Sequence, residues 1–267
     1  MLASAGWASE TCRYTGATSY DGQIRLETIA ATANGETTVD VRTWVSAKSF
    51  GFVGWRYWLE EISVWRDGEV RSIAVNNRYA FAGRVIRQSW DVFDAGPDGL
   101  AARRLEGKTA AEFSERHPGF ASHWDPDAFG MPWVADYANG GADRRSDLDL
   151  AKSAMPPGVG PPLALAFYWS RWVGPDGQKA AVFLPGFKRD SRADISVVSV
   201  GVEGDGTRHF RSALRHPQLS QTEASSGDAW IAADHRLTRV TFDAHGADGS
   251  AHGDVHLDSC LGDAAAP

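Results

Sequence analysis

No stretch of this 267-residue chain approaches 18 consecutive apolar residues, so it offers no helical membrane span. Basic runs are missing as well. The net charge is −7, from 27 Lys+Arg against 34 Asp+Glu. Without a basic stripe to displace counterions from phosphates, nucleic acid is not an expected partner. Lysine is scarce, 5 residues against 22 arginines. The arginine fork suits carboxylates and phosphates, so this excess reads either as surface ion pairs or as functional cations. Catalytic signatures are also missing: there is no G-x-S-x-G elbow, no P-loop and no H-E-x-x-H zinc helix. No cofactor and no resident metal are expected.

Cysteine is limited to Cys12 and Cys260, neither of them in a C-x-x-C or Cys/His zinc spacing. An even pair, one near each chain end, favours a disulfide between strands that carry the termini, and hence an oxidising compartment. Two unrelated buried thiols are the alternative. Residues 1–11 read as a signal-peptide remnant or a tail. Leu2–Ala8 is small and weakly apolar, with Ala3-x-Ala5 or Gly6-x-Ala8 as a small-x-small cleavage site. A periplasmic or secreted location is the expectation.

What the chain has in quantity is alternation. Gln23–Ala31 sets Ile24, Leu26, Thr28 and Ala30 on one face, and Asn34-Gly35 is a hairpin signal. Thr37–Lys48 then alternates Val39, Val41, Thr43, Val45 and Ala47 against Asp40, Arg42 and Trp44. The first set reads as a dry face, the second as a wet or amphipathic one. In Trp55–Arg66, Trp55, Tyr57 and Leu59 oppose Trp58, Ile62 and Val64. Asp67-Gly68 turns into Glu69–Val75, and Arg84–Phe93 and Leu100–Leu105 continue the pattern. Residues 12–105 therefore read as a meander of about six strands.

The period then breaks. Thr109-x-x-Glu112 is a possible capping box for a short helix through Arg116, stopped by His117-Pro118-Gly119. Asp143–Ala154 could be a second short helix, and Met155–Pro162 has the composition of a linker. Beyond it, Leu163–Val173, Ala180–Phe187, Asp194–Glu203, Thr207–Leu214, Trp230–Ala233, Leu237–Asp243 and Asp254–Cys260 are strand-like. The expected fold is all-β, mainly antiparallel, a barrel or sandwich. It is read as a single β domain over residues 12–267, with a helical or loop insertion at about 106–162.

The segment Glu61-Ile62-Ser63-Val64-Trp65-Arg66-Asp67-Gly68-Glu69-Val70 resembles exported bacterial β-rich, barrel-like proteins of unknown function, in which a Glu-x-x-x-Trp-x-x-Gly strand-turn-strand sits in a curved sheet. Ala229–Asp234 followed by Leu237-x-x-Val240 is similar to their closing hairpin. The resemblance covers about a quarter of the chain. It implies a periplasmic barrel-like fold and brings no catalytic residue with it.

Two clusters could carry chemistry. The first places His117, His123, Asp125 and Asp127 within eleven residues of a Trp- and Pro-rich loop. There His123 could act as acid/base, with Asp125 orienting it; the alternative is a plug whose Trp124, Phe129 and Trp133 are buried. The second holds His245, His252, Asp254, His256 and Asp258. On a strand Asp254, His256 and Asp258 would share a face, able to hold a divalent metal, act as acid and base, or simply face solvent. Tryptophan is abundant, 11 residues against 12 phenylalanines. Trp55, Arg56, Trp58, Trp65, Trp90, Trp124, Trp169 and Arg171 are candidate ligand contacts by stacking and ion pairing, or else a Trp-rich core. The leading expectation is an exported β-barrel that binds a small amphiphilic, aromatic or glycan ligand without catalysis. The rival is a hydrolase or lyase acting on extracellular carbohydrate or ester through His123, Asp125 and His117.

Overall fold

The computed structural model describes residues 10–19, 21–33, 35–49, 53–66, 69–82, 84–96, 99–104, 159–160, 177–183, 192–215, 225–246 and 249–262. Among these residues there are fourteen strands and no helix. They are β1 (Glu10–Thr18), β2 (Gly22–Ala33), β3 (Glu36–Ser49), β4 (Val53–Arg66), β5 (Glu69–Phe81), β6 (Arg84–Gly96) and β7 (Gly99–Arg104) in the first half. The second half holds β8 (Val159–Gly160), β9 (Gly177–Phe183), β10 (Arg192–Val202), β11 (Arg208–Arg215), β12 (Ser225–Ile231), β13 (Leu237–Gly246) and β14 (Gly249–Leu261). The expected insertion lies outside the described residues except for Val159–Gly160.

All fourteen strands belong to one sheet, in the order β7-β6-β5-β4-β3-β2-β1-β14-β13-β12-β11-β10-β9-β8. Neighbours are antiparallel except the short β8, which runs parallel to β9. The architecture is therefore a single barrel-like sheet; the sandwich alternative falls because no second sheet exists among the described residues. The first-half meander has seven strands where the alternation suggested about six. Ala232 and Ala233, read as strand, belong instead to the β12–β13 turn. There the Ala232 amide donates to the Arg236 carbonyl, and Asp234 Oδ1 accepts from the Arg236 amide at 3.1 Å.

Tight turns fix the meander. Gly35, between β2 and β3, has φ +77°, the left-handed conformation that a two-residue hairpin requires. At the β10–β11 turn the Glu203 amide donates to the Thr207 carbonyl at 2.8 Å, and Asp205 Oδ1 accepts from the Thr207 amide at 2.9 Å. The two chain ends meet where β1 pairs with β14. Cys12 lies directly opposite Cys260, and a disulfide joins them across 248 residues of sequence. Gly16 lets the strands close there, because a Cβ at that position would collide with the Asp254 carbonyl oxygen.

Cross-strand partners share a face, so the register sorts the side chains. One face carries Tyr14, Leu26, Val41, Val255, Ile231 and Phe210, and residues from both halves form one continuous apolar cluster. Each such side chain contributes about 1.5–3 kcal/mol when fully buried. The other face behaves differently along the sheet. On β11–β14 it is exposed or half-exposed, whereas on β2–β5 Ile29, Asp40, Arg42, Glu60, Ile62, Val64, Ser72 and Ala74 are all buried. The Asp40-Arg42-Trp44 face, expected to be wet or amphipathic, is thus a second interior. Arg42 can be buried there because it lies opposite Glu27 and Glu60 across the strands, with Asp40 beside it on its own strand.

The Cys12–Cys260 bond closes most of the chain into a loop, worth about 5 kcal/mol in the chain-entropy model. Reduction, or Cys12→Ser with Cys260→Ser, is expected to lower the urea midpoint clearly. An identical midpoint with and without reductant would refute a stabilising role.

Candidate functional site

On the first face, toward the β3–β4 end, the small Ala47 opposite Trp55 is buried while the larger side chains around it keep partial exposure. Val39, Val41, Ile73 and Val75 are buried, whereas Val45, Tyr57, Leu59, Trp55 and Phe81 are half-buried. Trp55 stands directly opposite Phe81, and Tyr57 opposite Val45. Three aromatic side chains on adjacent strands thus share one face and retain partial exposure. Such a surface can stack against an apolar or ring-shaped ligand.

The second face of the same strands carries a row of charge. Arg13 is opposite Glu27, Glu27 opposite Arg42, and Arg42 opposite Glu60, so that sign alternates across β1–β4. Arg13 Nε donates to Glu27 Oε1 at 2.9 Å from the solvent side. Arg42 Nη1 reaches Glu27 Oε2 at 3.4 Å, and Arg42 Nε donates to Glu60 Oε1 at 3.2 Å. Asp40, two residues back on β3, approaches Arg42 Nη2 at 2.8 Å. That contact is a charge pair off the hydrogen-bond axis, since neither Asp40 oxygen has a well-aligned donor. The side chains of Arg42, Asp40 and Glu60 are only 3%, 3% and 1% exposed. Burial works against the Arg42 cation, but Asp40, Glu60 and Glu27 more than offset it, and its pKa is raised. Burial pushes the Asp40 carboxyl up to about 6, with Arg42 pulling the other way.

On β11–β14 the second face holds a solvent-side network. His209 stacks on Trp230 with ring centroids 4.6 Å apart, and Arg239 lies 4.6 Å from the Trp230 centroid. The three residues stand opposite one another in register across β11, β12 and β13. Trp230 therefore has neighbours on both flanks. His209 meets Asp228 at 2.8 Å, His252 meets Asp243 at 2.9 Å, and His256 meets Asp254 at 3.1 Å. Arg239 holds Asp254 by two hydrogen bonds, which lower the pKa of that carboxyl.

The residues singled out from sequence are dispersed. Trp55 lies on the half-buried aromatic face. Trp58 lies on the opposite face, buried, and Arg56 lies on that face exposed. Trp65 is buried on the first face and donates through Nε1 to Ser63 Oγ at 2.9 Å. Trp90 stands on β6 opposite Asn76, its side chain outside the described set. His117, His123, Asp125, Trp124, Trp169 and Arg171 lie outside the described residues. Asp254 and His256 share the outer face with Asp258, which accepts from Thr15 Oγ1 at 2.8 Å. Glu10, Cys12 and Cys260 form a close trio of ligand-type atoms, but both sulfurs are joined to each other and Glu10 pairs with Arg236 at 3.0 Å. The Asp40–Arg42 cluster and the His209–Trp230–Arg239 stack were not foreseen as sites.

These features define a nearly all-antiparallel, barrel-like β protein. No family model matches the chain, and no curated protein matches it. Among solved structures it is similar to a beta-barrel-like protein of domain of unknown function DUF1849 from Brucella abortus, at TM-score 0.52 and 8% identity, over 97% of this chain and 100% of that one. A protein of Parabacteroides distasonis ATCC 8503, described as a candidate lipoprotein, matches over 95% of each chain at 8% identity, but its TM-score of 0.29 carries no weight. The first similarity is one of fold. It agrees with the resemblance of Glu61–Val70 to bacterial β-rich, barrel-like proteins of unknown function.

Removing the Arg42 cation leaves buried carboxylates without their common partner. Arg42→Met is therefore expected to cost about 3–5 kcal/mol in urea unfolding. Adding Asp40→Asn should restore more than about 1 kcal/mol of that loss. Strictly additive effects would show that the two residues do not interact.

Proposed function

We propose that the chain is an exported, periplasmic or secreted protein that binds a small amphiphilic, aromatic or glycan ligand and performs no catalysis. The observation that carries this reading is the Trp55, Tyr57 and Phe81 surface on the first face of β4 and β5. Apolar walls with partly exposed aromatic rings are the usual form of small-molecule sites. Trp55 is the sequence-derived candidate assigned to this surface. Trp58 and Trp65 are buried and serve packing. The Cys12–Cys260 disulfide supports residence in an oxidising compartment. The chain is read as one β domain over residues 12–267 with an insertion at about 106–162, residues 1–11 being a signal remnant or tail. Trp90, Trp124, Trp169 and Arg171 remain expected contributors to ligand contact.

Titration with an environment-sensitive hydrophobic dye tests the reading, and native mass spectrometry of protein from its own compartment complements it. Saturable one-site binding is expected. Trp55→Ala and Phe81→Ala should each weaken it about tenfold, or ~1.4 kcal/mol, with an unchanged circular dichroism spectrum. Absence of saturable binding, or full binding by both variants, would sink the proposal.

A further inference from the structure

The two halves of the Cys12–Cys260 bond have different surroundings. Cys12 is 4% exposed and belongs to the apolar cluster of the first face. Cys260 stands at the margin of that cluster and keeps partial exposure, and its neighbours Ser259 and Leu261 are exposed. The sulfurs also differ in what lies beside them. Glu10, buried two residues before Cys12, brings Oε1 to 3.6 Å from Cys12 Sγ. Arg236 Nε donates to that same oxygen at 3.0 Å, and Arg236 Nη2 donates to the Gly262 carbonyl at 3.3 Å. One guanidinium thus spans the seam beside the disulfide, from β1 to the residue just past β14.

We propose that Cys260 is a thiol-exchange site: a small-molecule thiolate attacks Cys260 Sγ, and Cys12 Sγ departs beside Glu10, whose carboxylate makes it a reluctant leaving group and so guards the seam. The inference is independent of ligand binding at Trp55.

Disulfide exchange begins with attack of a thiolate on one sulfur, and its rate depends on access to that sulfur and on how readily the other departs. The apolar cluster shields Cys12, whereas Cys260 is reached from solvent. A bond forms between the external sulfur and Cys260 Sγ as the Cys12–Cys260 bond breaks. The bonding pair goes to Cys12 Sγ, which takes a proton from water. One disulfide replaces another and one thiol replaces another, so no further oxidant or reductant is needed. In reverse, the Cys12 thiolate attacks Cys260 Sγ, expels the external thiolate and reseals the seam. A carboxylate beside Cys12 Sγ disfavours negative charge on that sulfur. A less stable departing thiolate leaves more slowly. The repulsion follows from the approach of Oε1 to Sγ and does not require that Glu10 lack other contacts. Arg236, bound to the same oxygen, moderates it.

The site of attack can be read in the native sequence. Folded protein is treated briefly with 2-mercaptoethanol, quenched in acid, unfolded and labelled with a maleimide, and its peptides are mapped by mass. Mercaptoethanol is expected on Cys260 and maleimide on Cys12, with the opposite pair about tenfold rarer or less. In urea-unfolded protein, where both sulfurs meet solvent, the two pairs should be comparable. Equal yields from folded protein, a preference for Cys12, or an undiminished preference after unfolding would overturn the assignment. The guarding role is read from the rate of opening. Glu10→Gln should open about fivefold faster, because the departing thiolate no longer meets a carboxylate. Arg236→Gln should open more slowly, because the carboxylate loses a compensating cation. If Glu10 and Arg236 merely brace the seam, both variants will open faster, and the guarding role is refuted; unchanged rates refute it as well.

Discussion

The pairing of the first strand with the last holds this sheet together. β1 and β14 lie side by side at its centre, so the chain ends are interior to the architecture, and the outermost described strands, β7 and β8, belong to the middle of the chain. Without that seam the protein would be two separate meanders, each with an exposed edge at a chain end. The first-face cluster depends on it too, because Tyr14 and Val255 link the apolar residues of β2 and β3 to those of β12 and β11. Gly16 and the Cys12–Cys260 bond are the two local devices that keep the seam closed.

Around this seam the two halves treat water differently. β11–β14 bury one face and expose the other, the ordinary condition of an antiparallel sheet. β2–β5 bury both, and the second interior is polar. A buried ion pair gives little net stability over an apolar replacement, but it is unforgiving of misplacement. A two-residue slip of β3 against β2 would keep every side chain on its own face but move Arg42 away from Glu27. The charged row therefore acts as a register key for long strands whose apolar face alone is uniform enough to slide.

Much of the fold was legible in the residues. Asn34-Gly35, Asp67-Gly68 and the alternation of Val39 to Ala47 located β2 to β5, and two terminal cysteines located the seam. The buried charge row was written there as well. A turn at Asn34-Gly35 pairs Ala33 with Glu36 and, step by step, Glu27 with Arg42. What alternation could not reveal is that the Asp40-Arg42 face is covered. Burial of a second face depends on what packs over it, and period-two patterning marks only that faces differ. Pairing of His209 with Trp230 was hidden for a related reason: these residues lie 21 positions apart, and the sequence between their strands carries no Asn-Gly or Asp-Gly signal. Trp55 and Trp58 were separable from the start, since a three-residue step on a strand places them on opposite faces.

The seam also shapes how the chain reaches this structure. Every other antiparallel ladder joins strands that are neighbours in sequence, so each half can assemble hairpin by hairpin from local encounters. Among the described strands, only β1 and β14 pair residues some 240 positions apart. The entropy of closing so long a loop must be met before those contacts reward it, and non-local ladders of this kind slow folding. The meeting of the chain ends is thus the natural late step of assembly. A chain emerging from synthesis must wait for its last strand before its first can leave the edge.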